Sequence, residues 1–389
     1  MRVRAFTSDG KTMSELKTAI VHDWLTSKGG AEKFLEALYQ LFPARVHVLL
    51  KDKKLIETSF WHDKKIETSF LQYMPFAKKI YRHYLPLFPI AIEQFNLANY
   101  DLILSSSHAV AKNVITHAGQ LHICYCHTPM RYAWDLYHQY MKELGCIKKT
   151  LAAAVLHYMR MWDSAGTSRV DHFIANSHYV ARRIKKVYGR ESTVIYSGIP
   201  LHLFSLASAK EDFYLTVSRM VPYKRIDLIV RAFSQMRDKK LVVIGDGPEM
   251  ERVKKYATSN IELLGGELSD EEVRSYMGRA RAFIFAAEED FGLVPVEAQA
   301  CGTPVIAFGR GGVVETVKEG ITGVFFDEQT VPSLHNAILE FEKNRDAFDP
   351  LTIRQHAELF SDVRFQKEFK NFIDSKLSEF YESRYPSRR

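Results

Sequence analysis

Two carboxylates, Glu289 and Glu297, stand eight positions apart in EEDFGLVPVEAQACGTPVIAF, which runs from Glu288 to Phe308. On one continuous helix they would be offset by roughly 80° at 3.6 residues per turn. Gly292 between them argues instead that Glu289 lies in a loop and Glu297 on the helix that follows. Such a loop-to-helix junction leaves backbone N–H groups free to meet an anion. Carboxylates for hydroxyls and free amides for phosphate would together suit a sugar nucleotide. The same residues would serve equally as a solvated acidic loop, with Glu297 a charge favoured by the helix dipole.

Complementary cations occur in SRMVPYK, Ser218 to Lys224. Arg219 and Lys224 follow an apolar run and would leave a sheet at its carboxyl edge. A planar Arg fork and a mobile Lys charge suit a diphosphate; a surface pair near Asp227 is the plainer alternative. Gly245-Asp246-Gly247-Pro248 could wall a nucleoside or simply make a tight turn. Gly309-Arg310-Gly311-Gly312 precedes another helix, and its N–H groups are expected to be exposed. In the first half, His127-Thr128-Pro129 ends the apolar run His122 to Cys126, where open parallel sheets bind ligands. A structural histidine turning the chain before Pro129 fits as well. Gly29-Gly30 lies between a short strand, Thr18 to Val21, and a helical pattern, Ala31 to Leu41, so backbone there could approach a phosphate. A tight turn would need no ligand.

Those residues require two sets of alternating strands and helices. In the first half, Thr18–Val21, Val46–Leu50, Asp101–Ser106, His122–Cys126, Asp171–Ala175 and Thr193–Tyr196 read as strands. Asn176-Ser177 would cap a helix whose charge run, Arg182, Arg183, Lys185 and Lys186, is expected to be a solvated face. IETSF occurs at 56–60 and again at 66–70, and is read as a local strand–turn–strand. Residues 71–99 mix aromatics with Lys78, Lys79 and Arg82, which suits either a packed helical pair or an anionic membrane surface. Leu203 to Asp212 suits a linker. The second half then reads as strands at 213–217, 241–244, 261–264, 282–285, 304–307 and 323–326, with helices between them. The expected domains are therefore 1–205 and 206–364, with 365–389 a C-terminal helix and tail.

Composition narrows the classes. A chain of 389 residues suggests two domains, and 46% hydrophobic with 25% charged residues is globular. Cys124, Cys126, Cys146 and Cys301 show no disulfide or CxxC spacing, as befits a reducing cytoplasm. Neither a signal peptide nor a membrane span is read from the sequence. A net charge of +7 favours an anionic partner, but the basic residues are scattered and no nucleic-acid module is visible.

Taken in order, these segments resemble the retaining family-4 glycosyltransferases of the GT-B fold over nearly the whole length. The resemblance is carried by KGGAEK at 28–33, CHTPMRYAWD at 126–135, IANS at 174–177, SRMVPYK at 218–224, VIGDGPE at 243–249, LLGGELSDEE at 263–272 and EEDFGLVPVEA at 288–298. AIVHDWLTSKGGAEKFLEALYQLFP and the CHTPMRYAWD box are most similar to bacterial GDP-mannose-dependent mannosyltransferases of O-antigen and exopolysaccharide assembly. One departure is Tyr196-Ser197-Gly198, where many members have an asparagine before the glycine.

The resemblance implies an α/β fold of two Rossmann-like domains facing across a cleft, with the last helix, Phe365 to Leu377, crossing back to the first. It implies that Glu289 holds the donor sugar's hydroxyls and Glu297 the ribose. Phe291, Gly292, Leu293 and Val294 would offer N–H groups to the sugar and diphosphate. Arg219 and Lys224 would neutralise the diphosphate, with Gly29 and Gly30 reaching it from the opposite domain. His127 would lie near the reacting carbon and Leu268 near the base. Retention would come from same-face attack, without cofactor or metal. The implied partners are a nucleotide-sugar donor and a lipid-linked glycan acceptor, and the implied place is the inner face of the cytoplasmic membrane, as a peripheral protein. A UDP-sugar donor, or a non-catalytic sugar-nucleotide-binding scaffold, are the alternatives.

Overall fold

The computed structural model describes residues 16–27, 29–142, 144–207 and 209–384. Lys28, most of the polar leader and Arg388-Arg389 lie outside the described residues. The chain divides into two compact units, Met1–Ile195 with Gln366–Arg389, and Tyr196–Phe365.

Apolar runs in the first unit pair into a seven-stranded sheet: β1 (Thr18–His22), β2 (Arg45–Val48), β3 (Ile66–Thr68), β4 (Leu102–Ser107), β5 (Leu121–Cys126), β6 (His172–Ala175) and β7 (Ser192–Val194). The order is β3-β2-β1-β4-β5-β6-β7 and every pairing is parallel. Central strands β4 and β5 are buried at every residue, as a parallel sheet covered on both faces requires. The order reverses between β1 and β4, so the crevice beyond their carboxyl ends is this sheet's switch point. Phe369 and Phe372, on the helix Asp362–Arg384, pack on Phe34, Phe42, Tyr125 and His172 of this unit.

Asp23 follows β1 directly and is fully buried. Its carboxylate accepts from four consecutive backbone N–H groups, His108, Ala109, Val110 and Ala111, at 2.6–2.9 Å. That clasp ties the loop after β4 to the end of β1. Four amides turned onto one carboxylate form an anion-binding nest whose anion belongs to the chain itself.

In the second unit the strands are β8 (Tyr214–Val217), β9 (Leu241–Ile244), β10 (Ile261–Leu264), β11 (Ala282–Phe285), β12 (Val305–Phe308) and β13 (Gly323–Phe326). They run parallel in the order β10-β9-β8-β11-β12-β13, with the switch point between β8 and β11. Side-chain alternation builds two cores. Tyr214, Val243, Ile284 and Ile306 point to one face, with helices Ile226–Ser234 and Val331–Lys343; Leu215, Val242, Phe283 and Val305 point to the other, with the helix Leu293–Ala300.

Several expectations need correcting. The first IETSF copy is not a strand: Asp52 caps a helix, Lys53–Glu57, by accepting from the Lys54 N–H, and only the second copy forms β3. Residues 71–99 are helical and packed on their own unit, as one alternative had it, but as a run of short pieces, Phe70–Tyr73, Ala77–Ile80, Tyr81–Leu87 and Phe88–Glu93, with Pro86 inside the third. Arg183 is no solvated charge: it is buried against Asp135 and donates to Thr128 Oγ1 at 2.8 Å. The second unit begins at Tyr196, ahead of the expected boundary at 205, because Ile199 and Phe204 are buried in its core.

Asp23→Ala would strand four buried donors, each costing about 1–3 kcal/mol when unmet. Urea denaturation should show a loss of at least about 3 kcal/mol, and a loss below about 1 kcal/mol would contradict the clasp.

Candidate functional site

The expected donor residues collect at the carboxyl edge of the second sheet, on either side of its switch point. Arg219 and Lys224 follow β8, and Glu289 to Glu297 follow β11. Lys224 ends a tight turn, Pro222–Lys224, after which Arg225 adopts a left-handed conformation at φ 55°. Such a backbone is costly for a residue with a side chain and re-aims the chain as the helix Ile226–Ser234 begins. Lys224 and Glu289 form an ion pair across the switch point, and both side chains are only 16% exposed. Arg219 is exposed, and among the described residues no carboxylate pairs with it.

The Glu289 backbone is held as well as its side chain. Its carbonyl oxygen accepts from the Gly312 N–H at 2.7 Å, and it bridges to Gly311. A Cβ on Gly311 would lie 2.4 Å from the Glu289 oxygen, and one on Gly312 2.3 Å from the Asp290 oxygen. The expectation that the stretch 309–312 keeps its amides exposed is corrected at residues 309, 310 and 312. Gly309 donates to Phe326 O, Arg310 to Phe308 O and Gly312 to Glu289 O. The loop's amides serve the site by fixing its neighbour.

Free donors remain at the helix Leu293–Ala300. Gly292 at its N-cap is left-handed (φ 89°), no side chain caps it, and Pro295 in the first turn sacrifices no helical bond. Phe291 places its ring in the core, stacked on Tyr196 at 5.7 Å, which leaves only its backbone for the site. Leu293, Val294 and Glu297 are the half-buried positions of this helix, while Pro295, Val296, Ala298, Gln299 and Ala300 are buried. Positions three and four apart share a helix face, so Glu297 stands over the open N-terminus. Leu268 lies just before Ser269, the cap of the helix Asp270–Arg279, and is half-buried against the core. Nearby, a Cβ on Gly266 would meet the Asp246 side chain at 3.4 Å. A cavity of about 410 Å³ in this unit, lined by Lys210, Asp212, Arg281 and Pro304 among others, lies before β8, β11 and β12, at the opposite edge from these residues.

At the first unit's switch point, His127 belongs to a cluster that sequence reasoning passed over: His22, Asp23, Ser106 and His108. Polar residues at the ends of otherwise apolar strands were its only signal. Ser106 Oγ lies 3.0 Å from His22 Nδ1 and 2.9 Å from His127 Nε2, and His108 Nδ1 lies 3.0 Å from Asp23 Oδ2. Burial, then the neighbouring His108 and His22, holds the His127 pKa well below the usual histidine range. Gly29, the N-cap of the helix Gly30–Leu41, is crowded by a carboxylate of its own chain: a Cβ there would lie 2.7 Å from Glu32 Oε2. Burial raises the Glu32 pKa.

Two outcomes follow. Gly312→Ala should cost about 2 kcal/mol through overpacking, seen as a lower Tm; an unchanged Tm would refute the backbone contact. His22 and His122 have pKa values lowered to about 4, burial being the chief cause. Above the unfolded value of 6.5 neither state is charged, so their contribution is then fully present. Between 6.5 and about 4 the unfolded chain takes up protons first, and stability should fall by up to about 1.4 kcal/mol per pH unit for each histidine. Urea denaturation across this range checks the slope, and His22→Gln should reduce it.

Comparison with known proteins meets this geometry from another side. Residues 28–203 match the family described as Glycosyltransferase Family 4, and residues 202–355 match Glycosyl transferases group 1. An uncharacterized glycosyltransferase of Methanocaldococcus jannaschii is 30% identical over 185 residues, 46% of this chain and 52% of that protein. A GDP-mannose-dependent alpha-(1-6)-phosphatidylinositol monomannoside mannosyltransferase of Mycobacterium tuberculosis is 33% identical over 147 residues, 33% of this chain and 38% of that protein. The chain spans about half the length of the first curated relatives it matches. Among solved structures, Anabaena HepE in complex with UDP superposes with a TM-score of 0.69 at 18% identity, covering 92% of this chain and 100% of that one, a likeness of fold. The two family matches together run from residue 28 to residue 355, and the chain belongs to the glycosyltransferases of the GT-B fold.

Proposed function

We propose that this chain transfers a sugar from a nucleoside diphosphate donor, most specifically mannose from GDP-mannose, to a lipid-linked glycan acceptor with retention of configuration. One observation carries the reading: Lys224 and Glu289 meet across the β8/β11 switch point, beside the uncapped N-terminus below Glu297. Breaking the anomeric C–O bond develops negative charge on the leaving diphosphate. Arg219, Lys224 and the amides of residues 291–294 are the donors that would stabilise it, with neither cofactor nor metal. Glu289 would take the sugar's hydroxyls and Glu297 the ribose, with Leu268 near the base. The acceptor hydroxyl would attack from the face the phosphate leaves, and the phosphate oxygen would take its proton. His127 would contact the transferred sugar. Gly29 and Gly30 would approach a phosphate once the Glu32 carboxylate is withdrawn from them.

Mannose is supported by the resemblance in residues 19–43 and in the CHTPMRYAWD box at 126–135, and by the GDP-mannose-dependent mycobacterial relative. A UDP-sugar is the second reading, favoured by the fold likeness to Anabaena HepE with UDP-glucose bound. No helix among the described residues is long and apolar enough to cross a membrane. Tyr73 and Phe76, 84% and 77% exposed, would be the peripheral contact of the 71–99 segment with a membrane surface.

GDP-mannose should raise the Tm in the presence of EDTA while UDP-glucose does not; the reverse pattern would replace the donor and keep the site. Glu289→Gln should lower nucleoside diphosphate release by at least about a hundredfold with the protein folded, the scale of one lost transition-state contact. Full activity in that variant would remove Glu289 from the site.

A further inference from the structure

One hydroxyl touches two imidazoles at the carboxyl ends of β1, β4 and β5. Ser106 Oγ is within hydrogen-bond reach of His22 Nδ1 and of His127 Nε2, at 3.0 Å and 2.9 Å. A hydroxyl has one proton and can donate it to one ring only. A third atom decides which. His22 Nδ1 also lies 3.1 Å from the Ser106 carbonyl oxygen, and a carbonyl only accepts. His22 therefore carries its proton on Nδ1 and shares it between the carbonyl and Oγ of Ser106. The Ser106 proton is left for His127 Nε2, and His127 must hold its own proton on Nδ1. The adjacent strand pair repeats the arrangement. His122 Nδ1 donates to Arg169 O at 2.9 Å, and its Nε2 faces Ser105 Oγ at 2.8 Å.

We propose that Ser106 is a positioning residue that locks His127 in the Nδ1–H tautomer, so that His127 meets its substrate as a hydrogen-bond donor through Nδ1 and not as a proton acceptor. The contact with the transferred sugar rests on the proposed function; the tautomer does not. The bonded partner of one ring nitrogen sets which nitrogen is protonated. The titratable groups gathered around this ring agree with the assignment. His22 and His108 disfavour a further positive charge on it. Asp23 is already bound by four amides and His108. Glu32, on the helix Gly30–Leu41, has its pKa raised by burial. Phe34 and Tyr125 close on the ring at 5.0 Å and 5.1 Å between centroids. Among the described residues nothing bonds to His127 Nδ1, which leaves that N–H for a ligand oxygen.

The test is ¹⁵N NMR of the full chain labelled at histidine, at neutral pH without substrate, the His127 signals being assigned from their loss in His127→Gln. Wild type should show Nδ1 protonated and Nε2 bare. The opposite pattern in the wild-type protein overturns the proposal. Ser106→Ala should give a mixture of both tautomers and lower kcat by roughly tenfold, the scale of one net hydrogen bond. Ser106→Thr, which keeps the hydroxyl, should restore the single tautomer and most of the rate. A Ser106→Ala protein that keeps pure Nδ1–H, or transfers sugar at the wild-type rate, also overturns it. A wild-type protein with the expected tautomer that turns over no sugar nucleotide instead overturns the proposed function, and the tautomer assignment stands.

Discussion

Two stretches of backbone in the second unit approach with no room for a side chain between them. The Glu289 and Asp290 carbonyls sit against Gly311 and Gly312, and the Gly312 amide closes the contact at 2.7 Å. Everything at that edge of the sheet depends on this approach. It sets where the acidic loop leaves β11, hence where the Glu289 carboxylate is carried and where the helix from Leu293 begins. Side-chain contacts could tolerate repacking, but a carbonyl against a glycine has no rotamer to adjust.

Given that fixed loop, electrostatics organise the rest. Lys224 is mostly withdrawn from solvent, and Glu289 supplies its counter-charge. A buried charge without a partner is costly, so the pair lets a cation wait at the switch point. In the proposed function an incoming diphosphate would take over the cation, and the carboxylate would turn to the hydroxyls of the attached sugar. Arg219, exposed beside them, needs no such partner because water solvates it. The donor proposed here has both parts, an anion and a polyol, which is why a cation and a carboxylate are useful side by side.

Strand positions were legible from sequence because parallel strands buried on both faces must read as apolar runs bounded by Gly, Pro and polar turns. Gly292 likewise announced a loop-to-helix junction. Long-range partners were not legible. The two IETSF copies are identical, yet one ends a helix capped by Asp52 and the other pairs with β2, so the difference lies outside the pentapeptide. Nothing in the run Arg182 to Lys186 marks Arg183 as the one that finds a buried Asp135. The clasp of Asp23 spans 85 to 88 positions, beyond any local pattern. The glycines at 309–312 were visible, but only the carbonyls of Phe326, Phe308 and Glu289 reveal that the amides of residues 309, 310 and 312 are already in use.

That last distinction separates the two units. Both are parallel sheets with one reversal of order, and in both the loop after the switch-point strand can present backbone amides to an anion. In the first unit those amides, at residues 108–111, are occupied by the Asp23 carboxylate, and the N-terminus at Gly29 is crowded by Glu32. The second unit's corresponding helix end, at Leu293, has no side-chain cap, and Lys224, paired with Glu289, lies at the same edge of the sheet. An anionic ligand competing for the first site would have to displace a carboxylate held by four short hydrogen bonds, whereas at the second it meets unspent donors. Chain-internal anions therefore leave the amides of the two halves differently committed, spent on Asp23 at residues 108–111 and without a side-chain cap at Leu293.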